Sequence, residues 1–168
     1  LLNNPTADAA TLDELVKIFK EIPQNILHRL VPYIEKEGTA IISDLSGGTI
    51  TALNVEKGTL NIGATTGGEA RPIQYFYGGQ QTRINTALRV AISKILSNAA
   101  QTGDALAAMQ TLIIDEGDFG NLDETGVRDA VNMLQSLRKD FSRIVLVSHI
   151  ESVRSNFRGH VLEVNKAG

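Results

Sequence analysis

The chain has 168 residues, of which 42% are hydrophobic and 21% are charged, and this composition predicts one globular domain rather than a disordered chain. The lack of cysteine excludes a disulfide framework, thiol catalysis and cysteine-ligated zinc. No apolar run approaches the ~20 residues of a membrane span, so we expect a soluble, cytoplasmic protein without a membrane partner. The net charge of −3 predicts no general affinity for nucleic acid, so any such contact must come from a local patch or from a partner.

The N-terminal third of the chain is predicted to be helical. Apolar residues between positions 12 and 19 recur on one face of a helix, which Pro23 is expected to end. A second helical stretch follows, and we expect it to bend near Pro32 and Gly38.

A β-hairpin is predicted after this helical region. The patterns of Thr49–Val55 and Thr59–Ala64, separated by Glu56-Lys57-Gly58, are typical of two paired strands. The residues at 65–70 are rich in glycine and threonine and are predicted to form a loop.

The rest of the chain alternates between helical and strand patterns. The predicted elements are a long amphipathic helix over 80–97, a strand at Thr111–Ile114, a helix over 127–137, a strand at Ile144–Val147, a short helix at Glu151–Phe157 and a strand at His160–Val164. This order predicts an α/β fold in which helices flank a parallel sheet and functional loops follow the carboxyl ends of its strands.

Two carboxylates follow the first of these strands. Asp115 and Glu116 stand at the strand tip, where one can hold Mg²⁺ through water and the other can accept a proton. Such a pair often only caps a turn, but the loop that continues to Asp123 carries four acids, which a cation or phosphate would stabilise. We therefore predict that Asp115 binds magnesium and that Glu116 is the general base, whereas Asp118 and Glu124 are solvated charges.

A glycine pair opens the long predicted helix. Tyr77-Gly78-Gly79-Gln80 leads directly into it, so backbone amides and the positive end of the helix dipole are available to a phosphate. The similar sequence Leu45-Ser46-Gly47-Gly48 precedes a strand pattern instead, and its amides cannot gather at a helix N-terminus. We predict that only Gly78-Gly79 meets a phosphate.

His149 follows the next strand along the chain. A lone histidine is more often a cap or a surface residue, but this position, one strand beyond Asp115, favours contact with a γ-phosphate or with the attacking water. Together these segments predict ATP hydrolysis with Mg²⁺. No glycine in the sequence is followed by lysine, so it lacks the P-loop that supplies an amide nest and a lysine to the phosphates.

With these motifs the chain resembles the C-terminal lobe of an ABC-type ATPase head of the SMC-like branch, in particular the SbcC (Rad-fifty) family of DNA double-strand-break repair ATPases. Tyr77–Ser93 is similar to the signature motif and its helix, and Leu112–Glu116 to the Walker B strand. Asn121-Leu122-Asp123 is similar to the D-loop, and His149 to the switch histidine.

The resemblance also implies how the chain is divided and what it works with. Residues 1–22 would be the stump of a coiled-coil arm that precedes the hairpin, and residues 23–168 the lobe. The P-loop would lie on an N-terminal lobe across the coiled coil, so this chain alone would be inactive. Two heads would dimerise around ATP, each Gly78-Gly79 pair would contact the nucleotide of the opposing head, and an SbcD-type (Mre-eleven) nuclease and DNA ends would be the partners, at the nucleoid in a bacterium.

Two departures from the family pattern are visible. Tyr77 stands where the family has serine, and the interval from Asp115 to Asp123 is one residue longer than the family's common spacing. Two alternatives stay open: the nucleotide-binding subunit of an ABC transporter, and an ABC-fold scaffold without turnover. The missing P-loop and the hairpin before the signature argue against the first, and Glu116 with His149 argues against the second.

Overall fold

The computed structural model describes residues 5–56, 58–100, 110–115 and 122–164. The helices and strands in chain order are α1 Pro5–Leu45, β1 Ile50–Val55, β2 Ile62–Thr66, β3 Glu69–Pro72, α2 Gly78–Ala100, β4 Thr111–Ile114, α3 Glu124–Ser136, β5 Arg143–Leu146 and α4 Glu151–Asn156. Short 3₁₀ turns at Ile73–Tyr75 and Leu137–Lys139 precede α2 and β5. The predicted α/β class is confirmed in part: the fold is mixed, with one antiparallel and one parallel sheet.

Helix α1 is a single helix of 41 residues that contains Pro23 and Pro32. The prediction that Pro23 ends a first helix was wrong. Each proline removes one backbone hydrogen bond and crowds the preceding turn, but the turns on either side of both prolines keep the helix continuous. Because α1 passes position 22 without a break, the division into 1–22 and 23–168 has no counterpart in the secondary structure and stays a prediction.

Helix α1 supplies polar groups to the edge of strand β1. The backbone N–H of Leu53 donates to Thr39 Oγ1 and that of Val55 donates to Glu35 Oε1, each at 3.0 Å. Thr39 and Glu35 are four residues apart and so lie on the same face of the helix. Side chains of α1 therefore satisfy two backbone donors of an edge strand, which fixes the helix against the sheet.

The antiparallel sheet has three strands in the order β1-β2-β3. Its first hairpin confirms the sequence prediction, but the prediction of a loop over 65–70 was wrong because β2 continues to Thr66 and β3 begins at Glu69. Gly67 and Gly68 join these strands with φ values of +57° and +82°. Positive φ at both central residues is typical of a type I′ hairpin turn, for which Gly-Gly is a recognised sequence signal.

The second sheet pairs β4 with β5 in parallel, as predicted. The predicted strand at His160–Val164 was wrong, because no residue of this segment is in a strand. Its side chains are exposed, with Leu162 at 90% and Val164 at 94%. A strand needs a neighbour for its backbone hydrogen bonds, and β4 and β5 pair with each other rather than with this segment in the described part of the chain.

The hydrophobic core joins the three long helices to both sheets. Ile42 of α1, Leu53 of β1, Ile84 of α2, and Val131 and Leu134 of α3 are each at most 1% exposed. These residues belong to one contiguous cluster. No described helix is both long and apolar enough to cross a bilayer.

Candidate functional site

The parallel pairing of β4 and β5 brings two predicted site residues to the same edge. Ile114 lies opposite Leu146, and the backbone N–H of Val147 donates to the Ile114 carbonyl at 2.9 Å, which extends the ladder by one residue. Asp115 follows this point directly and His149 follows two residues after Val147. Both side chains are exposed at the carboxyl edge of the sheet, where a diffusing ligand can reach them.

Asp115 lines a cleft between β4 and the middle of α2. The cleft holds about 140 Å³, and its wall includes Thr86 and Arg89. Ligand pockets of drug-sized molecules usually hold ~300 Å³ or more. This cleft is therefore too small to enclose a nucleotide, and a nucleotide at Asp115 needs walls from another lobe or chain.

The start of helix α2 is an exposed helix N-terminus, as predicted. Phe76 is 6% exposed and anchors the preceding turn, whereas Tyr77 is 85% exposed. The Gln80 side chain accepts from the backbone N–H of Tyr77 at 3.3 Å, the third-residue half of a capping box. A Cβ added to Gly78 would meet no atom within 4 Å, so the space in front of the helix is open.

The two predicted phosphate-binding regions lie apart within this chain. Gly79 precedes Thr86 by seven residues, which corresponds to ~10 Å along a helix axis. Because Thr86 lines the cleft beside Asp115, the N-terminus of α2 lies about two turns away from that cleft. Gly78-Gly79 and Asp115 therefore do not form one compact site within a single chain.

Asp123 has a structural role that the sequence analysis did not predict. It is the N-cap of α3, and its Oδ1 accepts from the Gly126 N–H at 2.9 Å. Arg83 of α2 approaches the same oxygen at 3.2 Å. Arg83 thus links the predicted signature helix to the predicted D-loop. Sequence reasoning missed this pair because its members are 40 residues apart, and no local pattern records which distant residues meet.

Glu116, the predicted general base, lies outside the described residues, as do Gly117 to Asn121.

The second glycine pair, Gly47-Gly48, which was not predicted to bind phosphate, occupies the turn between α1 and β1, with φ values of +57° and +80°. It does not open a helix, which agrees with its exclusion. Among the described residues, no group of three or more metal-ligating side chains is present.

The comparisons with known proteins point to one family. No protein-family model matches the chain. It is 25% identical over 153 residues to the SbcC component of the SbcCD nuclease of Deinococcus radiodurans. It is 28% identical over 151 residues to the DNA double-strand break repair Rad50 ATPase of Sulfolobus acidocaldarius. The chain is a distant homologue of the SbcC/Rad50 ATPases. It covers 16% of the length of each of these two relatives.

Solved structures of SMC heads share the fold of this SbcC/Rad50 homologue. The Pyrococcus furiosus Smc head domain, solved with an extended coiled coil and the C-terminal domain of ScpA, aligns with a TM-score of 0.60 at 18% identity over 90% of this chain and 37% of that one. The Thermotoga maritima SMC head domain aligns with a TM-score of 0.55 at 17% identity over 80% and 45%. These likenesses show the fold, a mixed α/β arrangement that begins with a long helix.

Proposed function

We propose that this chain is the C-terminal lobe of an ATP-hydrolysing head in an SMC-like DNA double-strand-break repair protein. The observation that carries the proposal is the parallel pairing of β4 with β5, which brings Asp115 and His149 to one exposed edge. The homology to SbcC/Rad50 ATPases supports the same conclusion.

Each predicted site residue has a role in this proposal. Asp115 would hold Mg²⁺, Glu116 would accept a proton from the attacking water, and His149 would donate a hydrogen bond to the γ-phosphate. Bound Mg²⁺ and ATP would supply the cation that neutralises phosphate charge and the phosphoryl group that is transferred. The exposed, polar edge fits these groups, because the carboxylate and the imidazole are both open to solvent.

A second set of residues acts on the nucleotide of the opposing head. Gly78 and Gly79 offer their amides at the N-terminus of α2, with Tyr77 and Gln80 beside them, and Asp123 lies at the start of α3. Gly79 lies ~10 Å along the helix axis from Thr86, the first residue of α2 that lines the Asp115 cleft, and this separation supports an action in trans.

The parallel sheet supports the need for an N-terminal P-loop lobe. Ile113, Val145 and Val147 are 67%, 38% and 50% exposed, so apolar side chains on one face of β4 and β5 meet solvent. Parallel sheets are normally covered on both faces. The apolar segment at 160–164 is also exposed and unpaired in strands. We propose that the P-loop lobe covers this face.

The exposed face of α1 supports a coiled-coil arm. Apolar residues follow one another at alternating intervals of three and four, which is the heptad pattern of a coiled-coil seam. The residues are Leu12, Leu15, Phe19, Ile22 and Ile26, and each is at least 43% exposed. We propose that this seam pairs with the other arm of the same protein, that two heads form a homodimer, and that an SbcD-type nuclease and DNA ends are the further partners.

The proposal is tested with this chain alone and with the head assembled from it and its P-loop lobe. The chain alone should bind ATP with Mg²⁺ poorly and hydrolyse none, because the amide nest and lysine that hold the phosphates are on the other lobe. Isothermal calorimetry and a phosphate-release assay measure both. Micromolar ATP binding, or ATP turnover, by the chain alone would contradict the proposal that this chain contributes only half of an ATP site.

In the assembled head, Glu116→Gln should slow hydrolysis by at least ~10² while ATP binding is kept, since only the general base is lost. Glu124→Gln is the matched control, because Glu124 is an exposed residue in the first turn of α3 and should leave turnover unchanged. A head that dimerises around ATP without any turnover would favour the scaffold alternative.

A further inference from the structure

One region of the surface has an excess of positive charge, although the whole chain has a net charge of −3. Arg138 and Lys139 lie in the 3₁₀ turn before β5, Arg143 begins β5, and Arg158 follows α4. All four side chains are exposed. We call these four residues the basic patch.

One contact joins the two patch residues that are farthest apart in sequence. Arg138 Nη2 donates to the main-chain carbonyl of Arg158. The Gln135 side chain makes a second link, donating to the Asn156 carbonyl at 3.3 Å. Because Arg138 is fixed by a neutral carbonyl rather than by a carboxylate, its position is defined while its charge is not neutralised.

Two other cations contact the acidic residues nearby, and each of these cations is shared by two carboxylates: Lys94 by Glu37 and Asp140, and Arg154 by Glu151 and Glu163. Asp140 lies 3.7 Å from Lys94, and Glu151 and Glu163 each lie 2.7 Å from Arg154. In the ranges that the structure describes, none of the four patch residues forms an ion pair. The four patch cations and these two cations outnumber the four carboxylates by two, so the region keeps an excess of positive charge that a polyanion would compensate.

The patch lies at the opposite edge of the parallel sheet from the candidate nucleotide site. Arg143 is the first residue of β5, whereas Asp115 and His149 follow the carboxyl ends of β4 and β5. A strand of four residues spans ~13 Å. A polyanion on the patch therefore does not compete with nucleotide for the same groups.

The surroundings of the patch favour a duplex over a single strand. Single-stranded nucleic acid is usually bound by exposed aromatic rings on which bases stack. The aromatic residues nearest in sequence, Phe141 and Phe157, are both packed in or against the hydrophobic core. The patch thus offers cations without a stacking surface, which suits the phosphate backbone of a double helix.

We infer that Arg138, Lys139, Arg143 and Arg158 form a sequence-independent contact for the phosphate backbone of double-stranded DNA. The choice of DNA as the polyanion rests on the proposed function, whereas the charge excess is a property of the chain itself. Such a contact contributes salt-sensitive affinity and positions the duplex without reading its bases.

The test measures binding of this chain, without nucleotide, to a fluorescent 30-base-pair duplex by anisotropy over a salt series. We expect weak binding, with a Kd on the order of 10⁻⁵ to 10⁻⁴ M at low salt. Replacing all four patch residues with Gln should weaken it at least ~10-fold and should reduce the slope of log K against log salt by about 3 to 4, because each phosphate contact contributes ~0.9.

Two control variants separate the patch from general electrostatics. Lys17→Gln, Lys20→Gln, Arg71→Gln and Arg128→Gln together give the same net charge at four exposed positions outside the patch and should bind nearly as the unmodified chain does. Replacing the three patch arginines with Lys keeps the charge and should also keep binding. If the fourfold Gln variant does not fold, Lys139→Gln with Arg143→Gln should still lower the slope by about 2.

Three outcomes would overturn the inference. The control with changes outside the patch could lose as much affinity as the patch variant, a single strand of equal length could bind as tightly as the duplex, or polyglutamate could compete as well as DNA at equal charge. The result is independent of the proposed ATPase. If a patch variant no longer binds DNA but the assembled head still hydrolyses ATP without DNA, both the DNA contact and the proposed ATPase are supported. If the assembled head is inactive but DNA binding still depends on the patch, only the proposed ATPase is contradicted.

Discussion

The guanidinium Nη2 of Arg83 lies 3.2 Å from Oδ1 of Asp123, so one ion pair joins the helix that begins at Gly78 to the cap of α3. Gly126 is part of the same arrangement. Its N–H donates to Asp123 Oδ1, and a Cβ at this position would collide with the Arg83 guanidinium. A movement of α2 relative to α3 must therefore break or reshape this contact.

Replacing Asp123 separates its cap from its ion pair. Asp123→Ala should lower the free energy of unfolding by about 1 to 2 kcal/mol, because the cap and the pair are both lost. Asp123→Asn keeps an oxygen acceptor for Gly126 and should lose less than about 1 kcal/mol. Urea unfolding of both variants measures the difference. Equal losses in the two variants would show that the cap contributes nothing.

Gly126→Ala should lower the free energy of unfolding by less than about 1 kcal/mol, because the new Cβ displaces the far ends of the Arg83 and Asp123 side chains and leaves the backbone in place. In an Arg83→Ala background much of the collision is removed and alanine is the better helix former, so the same substitution should cost less there. A double-mutant cycle by urea unfolding gives the coupling free energy. A coupling of zero would mean that the two residues do not restrict each other.

The N-terminus of α2 makes the proposed trans contact with nucleotide, and two substitutions test it. Gly79→Asp should abolish ATP-driven dimerisation of the assembled head, since it places a negative charge against a phosphate. Tyr77→Ser should change dimerisation by no more than ~1 kcal/mol, about one neutral hydrogen bond, because the amides and the dipole supply most of the attraction.

The matched control for Gly79→Asp is Gly47→Asp in the similar Leu45-Ser46-Gly47-Gly48 turn, where no helix begins and dimerisation should persist. Sedimentation with a non-hydrolysable ATP analogue measures all three variants. Normal dimers of Gly79→Asp would remove the glycine pair from the nucleotide site.

The ion pairs of Lys94 lead us to predict that the free energy of unfolding falls at alkaline pH. Its ammonium group donates a hydrogen bond to Glu37 of α1 at 2.8 Å, which raises the pKa of Lys94 above its ordinary value, and Asp140 adds to the effect. A raised pKa in the folded state means that the stabilisation is complete below the unfolded lysine's pKa, near 10.5, and is lost as pH rises through the folded value.

The difference in unfolding free energy between the unmodified chain and Lys94→Met should therefore be constant, at about 1 kcal/mol, from pH 7 to 9 and should shrink above pH ~10.5. Urea unfolding at intervals of one pH unit measures it. Arg71→Met, which removes an exposed ion pair with Glu69, is the control and should have almost no effect. A difference that grows with pH would contradict the assignment.

Much of the local structure followed from the sequence because its causes are local. The apolar spacing over 80–97 predicted α2, and the short apolar runs at 111–114 and 144–147 predicted the two parallel strands that form. The same patterns placed Asp115 and His149 after strand ends, where the structure has them. Periodicity and strand tips are properties of a few neighbouring residues, so a sequence records them directly.

Other features depended on contacts between distant parts of the chain. Pro23 was expected to end a helix, but α1 continues through it, and the Gly67-Gly68 hairpin was overlooked beside a stronger loop signal. The pairing of Arg83 with Asp123 brings together residues 40 positions apart. Residues 160–164 have a strand pattern but no strand, because β formation needs a partner and the pattern specifies only the side chains. Local patterns set what each segment can form, and only tertiary packing decided which of these possibilities the chain adopts.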